Sequence, residues 1–154
     1  MDAQQYDESK ARRRQRRTIA IVIIALFLAW IGYHYRNYPE RHAADQFLAA
    51  LQRGDIEGAY GLWLKDPNWK QHQQKYSQYN FGDFSEDWGP SGEWGIIKSH
   101  RIDCSLSRGS GVIVEATVNN RAENMFIWVD RGPKTLHFSP DKIECGDVLG
   151  WMTE

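Results

Sequence analysis

Cysteine is scarce in this sequence, and the short motifs of the common catalytic centres are missing. Only two cysteines occur in 154 residues, and the five histidines are scattered without metal-ligand spacing. This argues against a zinc site, which needs several Cys or His ligands at short intervals. The sequence also lacks G-x-x-x-x-G-K-[ST], G-x-S-x-G, H-E-x-x-H and C-x-x-C. We therefore predict no metal, no cofactor and no catalytic residue.

Charge is absent from residues 18–35, which contain no Asp, Glu, Lys or Arg. At about 1.5 Å per residue, an 18-residue helix reaches roughly 27 Å, close to the thickness of a bilayer's hydrocarbon core. Arginine-rich residues 12–17 precede this segment, and aromatic rings gather at its other end, as expected at membrane interfaces. The pattern predicts a transmembrane helix in contact with lipid over residues 18–35.

Three other interpretations of this segment agree less well with its residues. A cleaved signal peptide should leave small residues at positions −3 and −1, whereas the exit here reads Trp-Ile-Gly-Tyr-His-Tyr. A buried helix of a soluble domain would not need basic and aromatic flanks. A twin-arginine export signal would place a hydrophobic pair after the arginines.

The charges on the two sides of the segment differ in sign. Residues 1–17 carry six Lys or Arg and three Asp or Glu, a net charge of +3. Residues 36–154 carry thirteen Lys or Arg and seventeen Asp or Glu, a net charge of −4. The positive-inside rule then predicts a cytoplasmic tail at 1–17, a short linker at 36–41, and an exported domain at 42–154. We expect the protein in the inner membrane of a bacterial-type cell. An acidic domain also argues against nucleic-acid binding.

Both cysteines, Cys104 and Cys145, belong to the domain predicted to be exported. An oxidising compartment favours pairing of two thiols, so we predict a disulfide between them. Closing a loop between residues 41 apart would stabilise the fold by roughly 4 kcal/mol in the chain-entropy model. Two buried thiols, or a thiol with chemistry beside His100, are the alternatives.

Helical periodicity marks the first half of the domain. Apolar residues recur at i, i+3, i+4 and i+7 in one run that ends at Gly54 and in a second run that follows Asp55, a typical N-cap. Asp66-Pro67 predicts the start of a third, polar and glutamine-rich helix.

Strand patterns mark the second half, over residues 94–106, 112–118, 125–129 and 135–138. Alternation in the first strand predicts one face that carries Ile96, Ile102, Cys104 and Leu106. The continuous apolar third strand is expected to be covered on both faces. The order of elements predicts an α+β domain, with two or three helices packed on one face of an antiparallel sheet of about four strands.

Residues 43–63 resemble the opening of the nuclear-transport-factor-two-like (cystatin-like) superfamily. The similar features are a helix with a small-residue face, the pair Gly54-Asp55, and a second helix containing Ala59-Tyr60. The resemblance implies a curved sheet around a cone-shaped pocket, which ketosteroid isomerases use and many relatives do not. It also implies a likeness to membrane-anchored bacterial relatives, including inner-membrane components of type IV secretion systems. A fold by itself assigns no activity.

Residues 81–94 combine acids and aromatic rings on a Gly- and Pro-containing chain, which we interpret as a long loop. Such a loop could bind a cationic or sugar-like ligand or a protein partner. The alternative is that its rings pack while its acids face water. The candidate binding residues are Phe81, Asp83, Phe84, Glu86, Asp87, Trp88 and Trp94.

Taken together, these patterns predict a membrane-anchored, exported domain that binds a protein partner or small ligand at the membrane surface and has no catalytic signature. One alternative is an isomerase- or hydrolase-like enzyme with a cone-shaped pocket. The other is a self-associating scaffold component of a secretion or assembly system.

Overall fold

The computed structural model describes residues 8–143, with side chains from residue 12 onward. The chain divides into two compact units, Met1–Arg36 and Asn37–Glu154.

The first unit is one long helix, α1 (Glu8–His34), which contains nearly all of the predicted membrane segment. It is the one helix among the described residues that is long and apolar enough to cross a membrane, and none of its apolar window is buried within the protein. Aromatic rings stack along its last turns, with ring centroids of Trp30 and His34 5.6 Å apart. The Arg36 guanidinium lies 4.5 Å from the centroid of the Tyr33 ring.

The second unit begins with two helices, α2 (Tyr38–Gln52) and α3 (Ile56–Leu64), in agreement with the sequence pattern. Asp55 caps α3 as predicted, because its carboxylate accepts a hydrogen bond of 2.8 Å from the Gly58 N–H. Since α2 starts at Tyr38, most of the predicted linker at 36–41 is helical.

The third predicted helix is wrong. Two short 3₁₀ helices, Trp69–Gln71 and Gln73–Tyr76, occupy this segment. The Asp66 carboxylate accepts hydrogen bonds from the Asn68 N–H and the Tyr76 hydroxyl and contacts His72 Nδ1 at 2.7 Å. These contacts draw the chain into compact turns around Asp66 and hold the pKa of this carboxyl below its usual range, through His72 first and then Tyr76.

The sheet has four antiparallel strands in sequential order: β1 (His100–Arg108), β2 (Gly111–Val118), β3 (Asn124–Asp130) and β4 (Leu136–Phe138). This confirms the predicted α+β class and the four-strand sheet. β1 begins six residues later than the predicted strand at 94, because residues 89–95 form turns after the preceding helix.

Two predictions about strand faces are wrong. The register shifts between Ile102 and Cys104, so this bulge turns Cys104 and Leu106 to the face opposite Ile102. The strand covered on both faces is β2 rather than β3, whose residues alternate between buried and half-buried. The reason is position, since β2 lies between two long strands whereas β3 has the three-residue β4 on one side.

The core lies between the helices and one sheet face. Val112, Val114, Ala116 and Val118 of β2 face this core and are fully buried. The helices contribute an aromatic cluster whose members pack ring against ring: Phe47, Tyr60, Trp63, Phe84 and Trp88. The apolar space against the sheet is therefore filled by large side chains.

Candidate functional site

The first part of the predicted loop at 81–94 is a helix, so its interpretation as a loop is corrected. This helix, α4, spans Phe81–Trp88. Asn80 starts it, because its side-chain oxygen accepts hydrogen bonds from the N–H groups of Gly82 and Asp83, and the Asp83 carboxylate accepts from the Asn80 N–H in return. This reciprocal capping box provides partners for backbone groups that a helix end leaves open.

The seven candidate residues do not all lie in one site, because the helix points their side chains to different sides. Phe84 and Trp88 belong to the buried core. Asp83 is engaged in the capping box, and Phe81 stacks on Trp69 at a centroid distance of 5.0 Å. The remaining candidates, with Trp88, line one surface depression.

We call this depression the acidic cleft. It has a volume of about 480 Å³, within the usual range for ligand pockets. It is formed by α4, the turns that follow it, the start of β3, and the chain after β4. Its lining residues are Glu86, Asp87, Trp88, Ser91, Gly92, Glu93, Trp94, Glu123, Asn124, Met125, Phe126, Phe138, Ser139, Asp141 and Lys142.

On the side of the cleft formed by α4, the Asp87 carboxylate lies next to the packed ring of Trp88. The Tyr79 hydroxyl donates a 2.8 Å hydrogen bond to Asp87, and burial together with this acid raises the pKa of Tyr79. The Trp88 and Phe138 rings stack at a centroid distance of 5.8 Å and an angle of 13°. Phe138 remains 56% exposed, which leaves a large apolar surface open in the cleft.

The turns after α4 form a second wall of the cleft, and contacts with α4 and Arg121 hold these turns in place. Gly92 passes so close to α4 that an added Cβ would lie 2.0 Å from the Asp87 carbonyl oxygen, so only glycine fits there. Arg121 donates hydrogen bonds to the carbonyl oxygens of Glu93 and Trp94, at 3.0 and 3.2 Å. Its guanidinium also lies 5.4 Å from the centroid of the Trp94 ring, which fixes that ring from one side.

Charge in the cleft is strongly unbalanced. Five acids line it, against one lysine, Lys142, whose Nζ lies 3.6 Å from the Glu123 carboxylate. Within residues 8–143, Glu86, Glu93 and Asp141 have no ion-pair partner. A concave surface of this charge attracts cations and disfavours anions.

No family model, curated protein or solved structure matches this chain. The resemblance of residues 43–63 to the nuclear-transport-factor-two-like superfamily stays a prediction. The acidic cleft is therefore interpreted from its own chemistry.

Several cleft residues come from parts of the sequence that gave no functional signal. Phe126 and Phe138 belong to β3 and β4, where an aromatic residue is ordinary strand composition. Asp141 and Lys142 follow β4 and reach the cleft only because β4 pairs with β3. Arg121 gives no sign in the sequence that it holds residues 27 and 28 positions earlier. The cleft is therefore assembled by contacts between residues that are distant in the sequence, and the hydrophobic periodicity of the sequence does not predict such contacts.

A second depression of about 400 Å³ lies beside the 3₁₀ helices and contains Phe81. Its rings contact one another, with Tyr60 4.8 Å from Trp69 and Trp69 5.0 Å from Phe81. It has no charged lining residue and is less suited to selecting a ligand. Its lining residues are Tyr60, Trp69, Gln73, Tyr76, Asn80, Phe81 and Gly82.

Metal and thiol chemistry gain no support within residues 8–143. No group of three or more His, Cys, Asp or Glu in this range could hold a metal ion. Cys104 lies half-buried on the sheet face opposite the helices, whereas Cys145 lies outside the described residues. The disulfide between them therefore stays a prediction.

Proposed function

We propose that this chain is a single-pass inner-membrane protein whose exported α+β domain binds a protein partner at the membrane surface through the acidic cleft. The observation that carries this proposal is the cleft itself, a concave site with five acids and an exposed aromatic ring, in a chain that also contains a membrane-length helix. Its N-terminus lies in the cytoplasm in this proposal.

The helix α1 supports membrane anchoring through its surface. Its apolar side chains, such as Ile21 and Leu26, are about two thirds exposed, as expected of a helix whose partner is lipid. Arginines precede the apolar stretch and aromatic rings end it. The charge difference across the stretch supports export of the second unit.

Binding is favoured over catalysis by how the interior is filled. A pocket enzyme of the isomerase type needs an open cavity against the sheet, whereas Phe47, Tyr60 and Phe84 are fully buried there. The acids of the cleft are exposed side chains on α4, in the turns after it, just before β3 and after β4. An exposed acid has little of the desolvation that tunes a catalytic carboxyl toward neutral pH.

Photo-crosslinking in intact cells tests the proposal. A photoreactive amino acid at position 93 places the crosslinker in the acidic cleft, and the same amino acid at position 57, on α3, provides the matched control. We expect a heavier, discrete adduct from position 93 and none from position 57. Alkaline phosphatase fused after residue 154 should be active, which tests the orientation.

Three results would contradict the proposal. An adduct that contains only this chain would favour the self-associating scaffold. The absence of any adduct at position 93, with the protein folded and in the membrane, would remove the cleft as a partner site. An inactive phosphatase fusion together with a fluorescent cytoplasmic reporter would reverse the orientation.

A further inference from the structure

We propose that the occupant of the acidic cleft is an extended peptide segment of the partner, which pairs with the outer edge of β4 and inserts a Lys or Arg side chain into the cleft. This inference rests on the proposed function and identifies the kind of segment that the site accepts.

Charge complementarity supports the basic side chain. Glu86 and Glu93 are exposed acids without an ion-pair partner in the described part of the chain, and they line the same cleft as the aromatic rings of Trp94 and Phe138. A guanidinium or ammonium group can bind carboxylates with its charged end and pack its aliphatic stem or cationic face against rings. An anionic or purely apolar side chain would leave these acids desolvated and unpaired.

The backbone of β4 supports an extended peptide. β4 is the last strand of the sheet, and within residues 8–143 no strand pairs with its outer edge. The Asp130 N–H donates to the Thr135 carbonyl at 3.0 Å, and the register then places Trp128 opposite His137 as the next hydrogen-bonded pair. Because N–H and C=O groups alternate along a strand, those of Leu136 and Phe138 point away from β3.

The outer edge of β4 and the cleft are continuous. Phe138 is the last residue of β4 and also lines the cleft, followed by Ser139, which lines it too. A strand added beside β4 would therefore pass the cleft, and its alternate side chains would project on the side of the exposed Phe138 ring. Main-chain pairing would supply affinity, and the cleft would select one side chain, as in other strand-addition complexes.

A peptide selection tests this inference on the full chain. A phage-displayed library of random decapeptides is selected against the protein in nanodiscs of phosphatidylcholine, a lipid without net charge. We expect enriched peptides to share one Lys or Arg within a β-forming sequence. The double variant Glu86→Gln/Glu93→Gln should weaken their binding about tenfold, whereas Glu57→Gln, an exposed acid away from the cleft, should not.

Backbone pairing is tested with N-methylated versions of the best peptide. Methylation of one set of alternate amides should weaken binding about tenfold or more, and methylation of the other set should have little effect, because only one set faces β4. Equal effects of the two sets would overturn strand addition.

Other outcomes are also decisive. Failure to enrich any peptide, enrichment without Lys or Arg, or equal binding to the double variant and the parent would overturn the inference. A crosslinked partner at position 93 combined with any of these results would leave the proposed function standing and remove only the segment assigned here.

Discussion

Phe84 is the most enclosed ring of α4, and its substitution gives a test at the scale of one residue. It has no exposed surface, and its ring centroid lies 4.9 Å from that of Tyr60 and 6.0 Å from that of Trp63. Phe84→Ala would leave a cavity in this cluster. We expect the free energy of unfolding to fall by about 3–5 kcal/mol, measured by chemical denaturation.

Glu86→Ala provides the matched control on the same helix. Glu86 is exposed, and alanine favours helix, so its substitution should change stability by less than about 0.5 kcal/mol. If the two variants were equally stable, Phe84 could not have the structural role assigned to it. The Glu86 variant should show its effect in ligand binding instead.

At the residue scale, the sequence indicated which residue types collect at 81–94 but not which of them are accessible. Glu86, Asp87 and Trp94 line the cleft as a binding segment requires, whereas Phe84 lies in the core and Asp83 caps the helix. These residues differ because their side chains point to different sides of the helix α4. When the segment is interpreted as a loop, the side to which each side chain points cannot be predicted.

The stability of α4 as an element depends on its first turn. The Asn80 side-chain oxygen accepts hydrogen bonds of 2.7 and 3.3 Å from the N–H groups of Gly82 and Asp83. Asn80→Ala removes this acceptor, so we expect a loss of about 1 kcal/mol in stability. Hydrogen exchange should also become faster in residues 81–88, measured by mass spectrometry.

Asn80→Ser keeps an acceptor at the N-cap and should remain close to the parent protein in both measurements. Equal exchange in the alanine and parent proteins would show that packing alone holds α4. Because α4 carries three cleft residues, the alanine variant should also bind cleft ligands more weakly than the serine variant.

Elements were predictable where a periodic pattern was long. The alternation of β2 and the i, i+3, i+4, i+7 spacing of α2 both identified their elements, because each buries one continuous face. The bulge between Ile102 and Cys104 has no such signature, and it reversed the face of the residues after it. The short helix α4 was missed although Phe81, Phe84 and Trp88 recur at i, i+3 and i+7, because the glycines and proline of residues 81–94 were interpreted as a loop.

At the scale of the whole molecule, the distribution of charge can be predicted from the sequence more easily than the geometry of the cleft. The net charges of +3 before the apolar segment and −4 after it follow from composition alone and lead to an orientation. The acidic cleft, by contrast, needs the pairing of β3 with β4 to bring Asp141 and Lys142 toward α4. Composition therefore yields a predicted orientation, whereas the geometry of the cleft could not be predicted from the sequence.

The predicted disulfide depends on the orientation of the chain, because only an oxidising compartment favours the bond. Cys104 pairs with Glu115 in the sheet and lies half-buried on the face opposite the helices. Cys145 itself lies outside the described residues.

We expect this bond to stabilise the second unit by roughly 4 kcal/mol in the chain-entropy model. Mass spectrometry of unreduced, alkylated protein from the membrane fraction should find no free thiol. In denaturation, Cys104→Ala, Cys145→Ala and the double variant should lose the same stability, because one bond is lost in each. Two alkylated thiols in the unreduced protein would contradict the disulfide, and they would also argue against export, since the oxidising compartment is the physical reason for the pairing.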